Sequence, residues 1–131
     1  TLVKNYVLAN GLEKQCFFLG VRHDIRSVMN SVDLNVLSTE YEGLSGVTIE
    51  SLAANKPFIG TDVPGVKELV GDNFSLVKYQ DVEKLAEKIT SLLFDKEKII
   101  QNTTLNFIKV QQFDINFMLK EHLHLYSKIT S

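Results

Sequence analysis

The stretch that decides the fold runs from residue 34 to residue 61 and reads LNVLSTEYEGLSGVTIESLAANKPFIGT. It opens with an apolar run at residues 34–38 and closes with another at residues 57–61. Pro57 begins the second run, where the missing N–H of proline is tolerated. A glycine-containing loop and a helix-like segment, residues 46–55, separate the two runs. Because a helix between two strands brings them side by side in the same direction, the stretch predicts a parallel strand–helix–strand unit.

Related patterns lie on both sides of this unit. Residues 16–20 and, more weakly, residues 74–77 read as further strands, and Val47, Ile49, Ala53 and Ala54 suit packing of the central helix against the sheet. The helical spacing of apolar residues predicts other helices at 1–10, 25–30, 64–70, 82–93, 96–110 and 115–129. The fold class is therefore α/β, a Rossmann-like parallel sheet with helices on both faces, followed by C-terminal helices.

Size and composition limit the possible functions. The 131 residues suit one compact domain, and a formal net charge of −2 argues against strong non-specific nucleic-acid binding. The single Cys16 cannot form an internal disulfide, which fits a reducing compartment, and we expect a cytoplasmic location. We find neither a membrane-spanning apolar run nor a signal peptide. The chain starts at Thr1 on a helix, so we expect a single partial domain, residues 1–131, that lacks one or two N-terminal strands.

The loop after residue 38 carries the main signal for a binding site. Gly43 and Gly46 let the backbone approach a ligand closely, and Ser45 is a plausible N-cap for the following helix. The N–H groups and dipole of that helix start favour a phosphate. Glu50 lies about one turn into the helix, and its carboxylate could accept two hydrogen bonds from a ribose diol. The residues alone do not decide between a nucleotide site and an ordinary loop with a solvated glutamate.

A longer pattern surrounds this loop and resembles the family 4 retaining glycosyltransferases of GT-B fold, the group 1 glycosyltransferases. Their signature is two glutamates separated by seven residues, here Glu42 and Glu50. The resemblance covers residues 1–80 well and continues more loosely to Phe113 and Leu125-Tyr126. The other matching pieces are, in order, Phe18-Leu19-Gly20, Asp33, Leu37-Ser38, Gly43, Pro57, Thr61-Asp62-Val63-Pro64-Gly65 and Glu68-Leu69-Val70.

The resemblance implies a role for each part of the loop. Glu50 would bind the ribose hydroxyls, and Glu42 would act at the donor sugar as the catalytic-site carboxylate. The backbone of Gly43, Leu44 and Ser45 would surround the same sugar. The N–H groups of Gly46 and Val47 would meet the diphosphate. The base would contact Gly20, Val21 and Arg22.

The resemblance also implies the reaction. Such enzymes move a sugar from a UDP-, GDP- or ADP-linked donor to a hydroxyl with retention, and need no metal or other cofactor. The acceptor would be a saccharide or a lipid-linked group held by a missing N-terminal domain. The setting would be capsule, exopolysaccharide or other glycoconjugate biosynthesis, in the cytoplasm and at the inner face of the membrane. The family's basic pair lies upstream and is absent here, so the 131-residue chain alone should be inactive. Ser51 also replaces the usual alanine.

Two other classes of function compete with this reading. A GT-B sugar-nucleotide epimerase or phosphorylase would share the architecture and differ in the missing half of the chain. A receiver-like signalling module would need an acidic pair at the first strand, and none is present. His23 fits a surface role at a helix start, and Arg22 and Arg26 could reach a phosphate, although neither is assigned that role. His122 and His124 face different sides of the last helix and have no third metal ligand.

Overall fold

The computed structural model describes residues 1–71 and 74–129, which contain one parallel three-stranded sheet. Its strands are β1 (Asn35–Leu37), β2 (Phe58–Thr61) and β3 (Leu76–Val77), with β2 in the centre. In the register, Asn35 pairs with Phe58, and Gly60 pairs with both Leu37 and Leu76. The predicted strand–helix–strand unit at residues 34–61 is confirmed, and the weak strand at 74–77 shortens to its last two residues.

The helices follow the predicted periodicity closely. Only α4 differs appreciably: it stops at Lys67 instead of reaching residue 70, and Leu69 and Val70 beyond it are buried in the core. A short 3₁₀ helix, Gln111–Phe113, separates the last two helices. The helices are α1 (Leu2–Ala9), α2 (Ile25–Ser31), α3 (Gly46–Ala53), α4 (Pro64–Lys67), α5 (Val82–Leu93), α6 (Lys96–Val110) and α7 (Ile115–Ile129).

The strand predicted at residues 16–20 is wrong. The segment is irregular, and its apolar side chains are exposed, with 78% of Phe17 accessible to solvent. An apolar run becomes a strand only when its backbone groups find a neighbouring strand. In the described part of the chain, β1 pairs only with β2, and Gly20 adopts a positive φ of 67° that ends the extended backbone.

The core forms on both faces of the sheet, because neighbouring residues of β2 point to opposite sides. Phe58 packs with residues of α3, α4 and α6, whereas Ile59 packs with Val77 and with Leu92 of α5. Each fully buried side chain of this size contributes about 1.5–3 kcal/mol to stability. The predicted arrangement, helices on both faces of a parallel sheet, is confirmed.

The face that α3 turns to the core differs in part from the prediction, since Ala54 is buried and Ile49 packs against the core as expected. Thr48, Ser51 and Leu52 are buried, whereas Val47 and Ala53 are exposed. Two buried residues are therefore small and polar, and Ser51 Oγ contacts Met29 Sδ of α2 at 3.9 Å. Small side chains let α3 pack closely, and hydrophobicity alone does not identify such a face.

A buried polar network that the sequence analysis did not predict ties α6 to the sheet. Asn102 Oδ1 accepts the Phe58 N–H at 3.0 Å, and Asn102 Nδ2 donates to Phe58 O at 3.2 Å and to Ser75 Oγ at 2.8 Å. One turn later, Asn106 Oδ1 accepts the Gly71 N–H at 2.9 Å. These amides give buried backbone groups of β2 and of the segment before β3 hydrogen-bond partners.

Candidate functional site

The predicted diphosphate site lies at the N-terminus of α3, beyond the carboxyl end of β1. Ser45 is the N-cap: its buried Oγ accepts the Thr48 N–H at 3.3 Å and the Thr48 hydroxyl at 3.0 Å. The N–H groups of Gly46 and Val47 donate no hydrogen bond to any residue in the described ranges. Two donors with the positive end of the helix dipole therefore face solvent, an arrangement that suits an anion.

The backbone of the loop before α3 packs against the start of α4, which holds the loop in place. A Cβ placed on Gly65 would lie 1.7 Å from Gly43 O and 2.6 Å from Glu42 O. The backbones of Glu42, Gly43 and Gly65 therefore touch, and only glycine fits at position 65. Glu42 is half-buried in this arrangement, whereas Gly43 and Leu44 are exposed.

A side chain also joins the carboxyl ends of β1 and β2. Thr61 Oγ1 donates to Thr39 O at 2.6 Å and accepts the Thr39 N–H at 3.0 Å. The first residues of the Glu42 loop therefore leave the sheet in a defined direction. Thr61 and Gly65 are the first and last residues of Thr61-Asp62-Val63-Pro64-Gly65, one of the stretches that match the family pattern. Through these contacts, that stretch positions the loop that carries Glu42.

Glu50, the second glutamate of the pair, is exposed on α3 and lines a hollow of about 390 Å³ between α2 and α3. Ile25 and Arg26, at the start of α2, form the opposite wall. A carboxylate in an open hollow lined by apolar side chains and one arginine can accept two hydrogen bonds from a diol. Sequence reasoning did not place Ile25 here and assigned no role to Arg26, because the α2–α3 contact leaves no local sequence signal.

The loop at Gly20, Val21 and Arg22 leads directly into α2 and is exposed. Arg22 Nε donates to Asp24 Oδ1 at 2.7 Å, and a second guanidinium nitrogen bonds the other carboxylate oxygen. The hydrogen bond from Arg22 lowers the pKa of the Asp24 carboxyl below its usual range, and the same pairing raises the pKa of Arg22. With its guanidinium on Asp24, Arg22 offers a ligand mainly its backbone.

The structure thus brings the predicted residues into two adjoining groups. Glu42 and Gly43 lie against α4 in the loop before α3, while Glu50 lies on the second turn of α3 and shares a hollow with the start of α2. Within residues 1–71 and 74–129, no three His, Cys, Asp or Glu side chains cluster as metal ligands would. In the same ranges, no helix is both long and apolar enough to cross a membrane.

Comparison with known proteins identifies the family. Residues 2–95 match the family described as "Glycosyl transferases group 1". The chain is 30% identical over 115 residues to N,N'-diacetylbacillosaminyl-diphospho-undecaprenol α-1,3-N-acetylgalactosaminyltransferase of Campylobacter jejuni, covering 86% of the chain and 30% of that protein. It is 36% identical over 112 residues to the putative teichuronic acid biosynthesis glycosyltransferase TuaC of Bacillus subtilis, covering 82% of the chain and 28% of that protein.

Solved structures show the same fold. Anabaena HepE in complex with UDP-glucose superposes with a TM-score of 0.85 and 27% identity, over 97% of the chain and 36% of HepE. Sucrose-phosphate synthase from Thermosynechococcus elongatus superposes with a TM-score of 0.83 and 24% identity, over 98% of the chain and 33% of that protein. These neighbours confirm the α/β fold of GT-B glycosyltransferases.

The family match also distinguishes between the competing hypotheses. It supports the glycosyltransferase over a receiver-like signalling module, and the two curated relatives are named glycosyltransferases. The chain spans only about 30% of their length. Because the family pattern covers residues 2–95, well over half of the sequence, the chain belongs to the group 1 glycosyl transferases.

Proposed function

We propose that this chain binds the nucleoside-diphosphate sugar of a glycosyl transfer, and that the full-length protein moves the sugar to a hydroxyl acceptor with retention. The single observation that carries the proposal is the start of α3, where Gly46 and Val47 present free N–H groups between Glu42 and Glu50. A nucleoside-diphosphate sugar has a diol, a diphosphate and a sugar in that order. Along the sequence, Glu50, the amides of Val47 and Gly46, and Glu42 follow the same order.

The surroundings of these residues support one role for each of them in the site. Glu50, in the hollow with Ile25 and Arg26, binds the ribose diol, and the backbone of the Gly20–Arg22 loop beside α2 contacts the base. Gly46 and Val47 bind the diphosphate. Glu42, held against Gly65, lies with Gly43, Leu44 and Ser45 around the sugar.

The chemistry requires stabilisation of a leaving diphosphate. As the bond from the anomeric carbon to the phosphate oxygen breaks, negative charge grows on that oxygen. The acceptor hydroxyl forms the new glycosidic bond, and its proton passes to the departing diphosphate. Fixed N–H donors directed at the leaving oxygen stabilise this charge without reorganising. In this proposal the helix start, with basic side chains outside this chain, takes the role that a metal ion has in other transferases.

The relatives suggest the substrate class. HepE was solved with UDP and with UDP-glucose, and the name of the Campylobacter protein includes a diphospho-undecaprenol acceptor. We therefore propose a UDP-linked donor and a saccharide or lipid-linked acceptor in polysaccharide or glycoconjugate assembly.

The test is an amide NMR titration of the ¹⁵N-labelled full-length protein with UDP, GDP and ADP, each with and without an attached sugar. We expect saturable shifts at residues 20–22 and 43–50, strongest for UDP, with further shifts at residues 42–45 when glucose is attached. Shifts confined to other parts of the chain, or none at millimolar nucleotide, would contradict the proposal.

A further inference from the structure

A second hollow lies at the same edge of the sheet and shares no lining residue with the proposed donor site. It measures about 170 Å³ and lies beyond the carboxyl ends of all three strands, with Ser38, Thr61 and Val77 as its floor. The turn that leads from β3 into α5 forms one wall. We call it the strand-end hollow. Pockets for drug-sized ligands measure roughly 300–1,000 Å³, so this one suits a single small ring.

The polar groups of the strand-end hollow are available to a ligand. The side chains of Ser38, Lys78 and Gln80 make no hydrogen bond or ion pair with another residue that the structure describes. Asp81 uses one carboxylate oxygen, Oδ1, to accept the Lys84 N–H at 2.9 Å as the N-cap of α5. A hydroxyl, an ammonium, an amide and a carboxylate therefore offer both donors and acceptors.

Apolar surface completes the hollow. Val77 is buried beneath it, Leu85 is half-buried, and Val82 has 74% of its surface exposed at the rim. Tyr79 adds an aromatic ring that is 37% exposed. A pyranose has the matching character, because its C–H faces are apolar and its hydroxyls donate and accept at the edge.

The backbone of the turn is strained at the residue that enters the hollow. Gln80 has a φ of 66°, in the left-handed region that residues other than glycine rarely adopt. The turn is closed by hydrogen bonds from Asp81 N to Lys78 O at 3.1 Å and from Val82 N to Gln80 O at 3.0 Å. Strain of this kind concentrates at ligand sites.

We propose that the strand-end hollow binds one neutral sugar residue of a glycan, at a position separate from the nucleotide sugar. The charges of Lys78 and Asp81 balance, which favours an uncharged ligand over a phosphate or carboxylate. Tyr79 packs on the ring, and Ser38, Gln80 and Asp81 exchange hydrogen bonds with its hydroxyls. The proposal goes beyond donor binding and stands on different residues.

The test titrates the ¹⁵N-labelled full-length protein, saturated with UDP, with three probes: methyl α-D-glucopyranoside, methyl β-D-galactopyranoside and methyl β-N-acetylglucosaminide. We expect at least one glycoside to shift the amides of residues 78–82 saturably in the millimolar range. Tyr79→Ala should weaken that affinity several-fold, and so should Gln80→Gly, which removes the side chain without disturbing a left-handed backbone.

The matched control is Tyr6→Ala on α1, a tyrosine that is 66% exposed and outside the hollow. It should leave glycoside affinity unchanged. If no glycoside moves residues 78–82, or if Tyr79→Ala and Tyr6→Ala bind equally well, the proposal is wrong. The UDP shifts at residues 43–50 in the same samples report donor binding separately, so the two proposals fail independently.

Discussion

At the scale of single residues, the position of Glu42 depends on a glycine twenty-three residues later. Gly65 is buried under the Glu42–Gly43 backbone, and the nearest carbonyl oxygen would lie 1.7 Å from an added methyl group. A contact between two stretches of backbone leaves no trace in hydrophobic periodicity. The family pattern includes this glycine, yet only the structure shows which atoms require it.

Gly65→Ala should therefore disturb both stability and the loop. The new methyl must displace the backbone at Gly43, which typically costs about 1–3 kcal/mol in free energy of unfolding. Urea unfolding measures that loss, and nucleotide-sugar affinity should fall as well. Gly46→Ala is the control for stability, because a Cβ there meets no atom within 4 Å. Equal stability of the two variants would show that the contact does not constrain the loop.

At the scale of elements, the long helices were predictable and the edge of the sheet was not. α5, α6 and α7 follow from the spacing of their apolar residues, and each begins within a residue of its predicted start. The segment at residues 16–20 has the composition of a strand but lacks a partner within the described ranges. Pairing is a property of two segments, so one segment's sequence cannot establish it.

The asparagines of α6 are a sequence signal from which a buried polar network could have been predicted. Asparagine is unfavourable inside a helix, and two of them one turn apart, Asn102 and Asn106, indicate a use for their amides. Here their amides bond the backbone of Phe58 in β2 and of Gly71, which lies outside the strands. The sequence did not reveal which backbone groups they serve, because those partners lie 44 and 35 residues away.

Asn102→Ala should destabilise the fold strongly. It leaves the buried N–H and C=O of Phe58 without their side-chain partner, and each unsatisfied group costs about 1–3 kcal/mol. We expect the free energy of unfolding, measured by urea, to fall by about 3 kcal/mol in total. The neighbouring Gln101→Ala removes an exposed amide from the same helix and should have little effect. A similarly small loss for Asn102→Ala would mean that the network is not needed.

At the scale of the whole molecule, the carboxyl edge of one parallel sheet carries both proposed sites. The sequence predicted the carboxyl edge of the sheet, the start of α3 capped by Ser45, and the pair Glu42 and Glu50. These features are local, because each depends on residues that are close together in the sequence. It did not predict the wall that α2 adds beside Glu50, since packing between helices depends on distant residues. The strand-end hollow likewise forms only when three strand ends meet.

The central claim is that the two glutamates meet different parts of one donor. Calorimetric titration of the full-length protein with UDP and with UDP-glucose tests it most directly. Because a charged hydrogen bond is worth roughly 1.5–3 kcal/mol, Glu50→Ala should weaken the affinity for both ligands about tenfold or more. Glu42→Ala should leave UDP affinity unchanged and weaken only UDP-glucose, and Glu40→Ala, an exposed glutamate of the same loop, should change neither. Equal losses of UDP affinity from Glu42→Ala and Glu50→Ala would contradict the account.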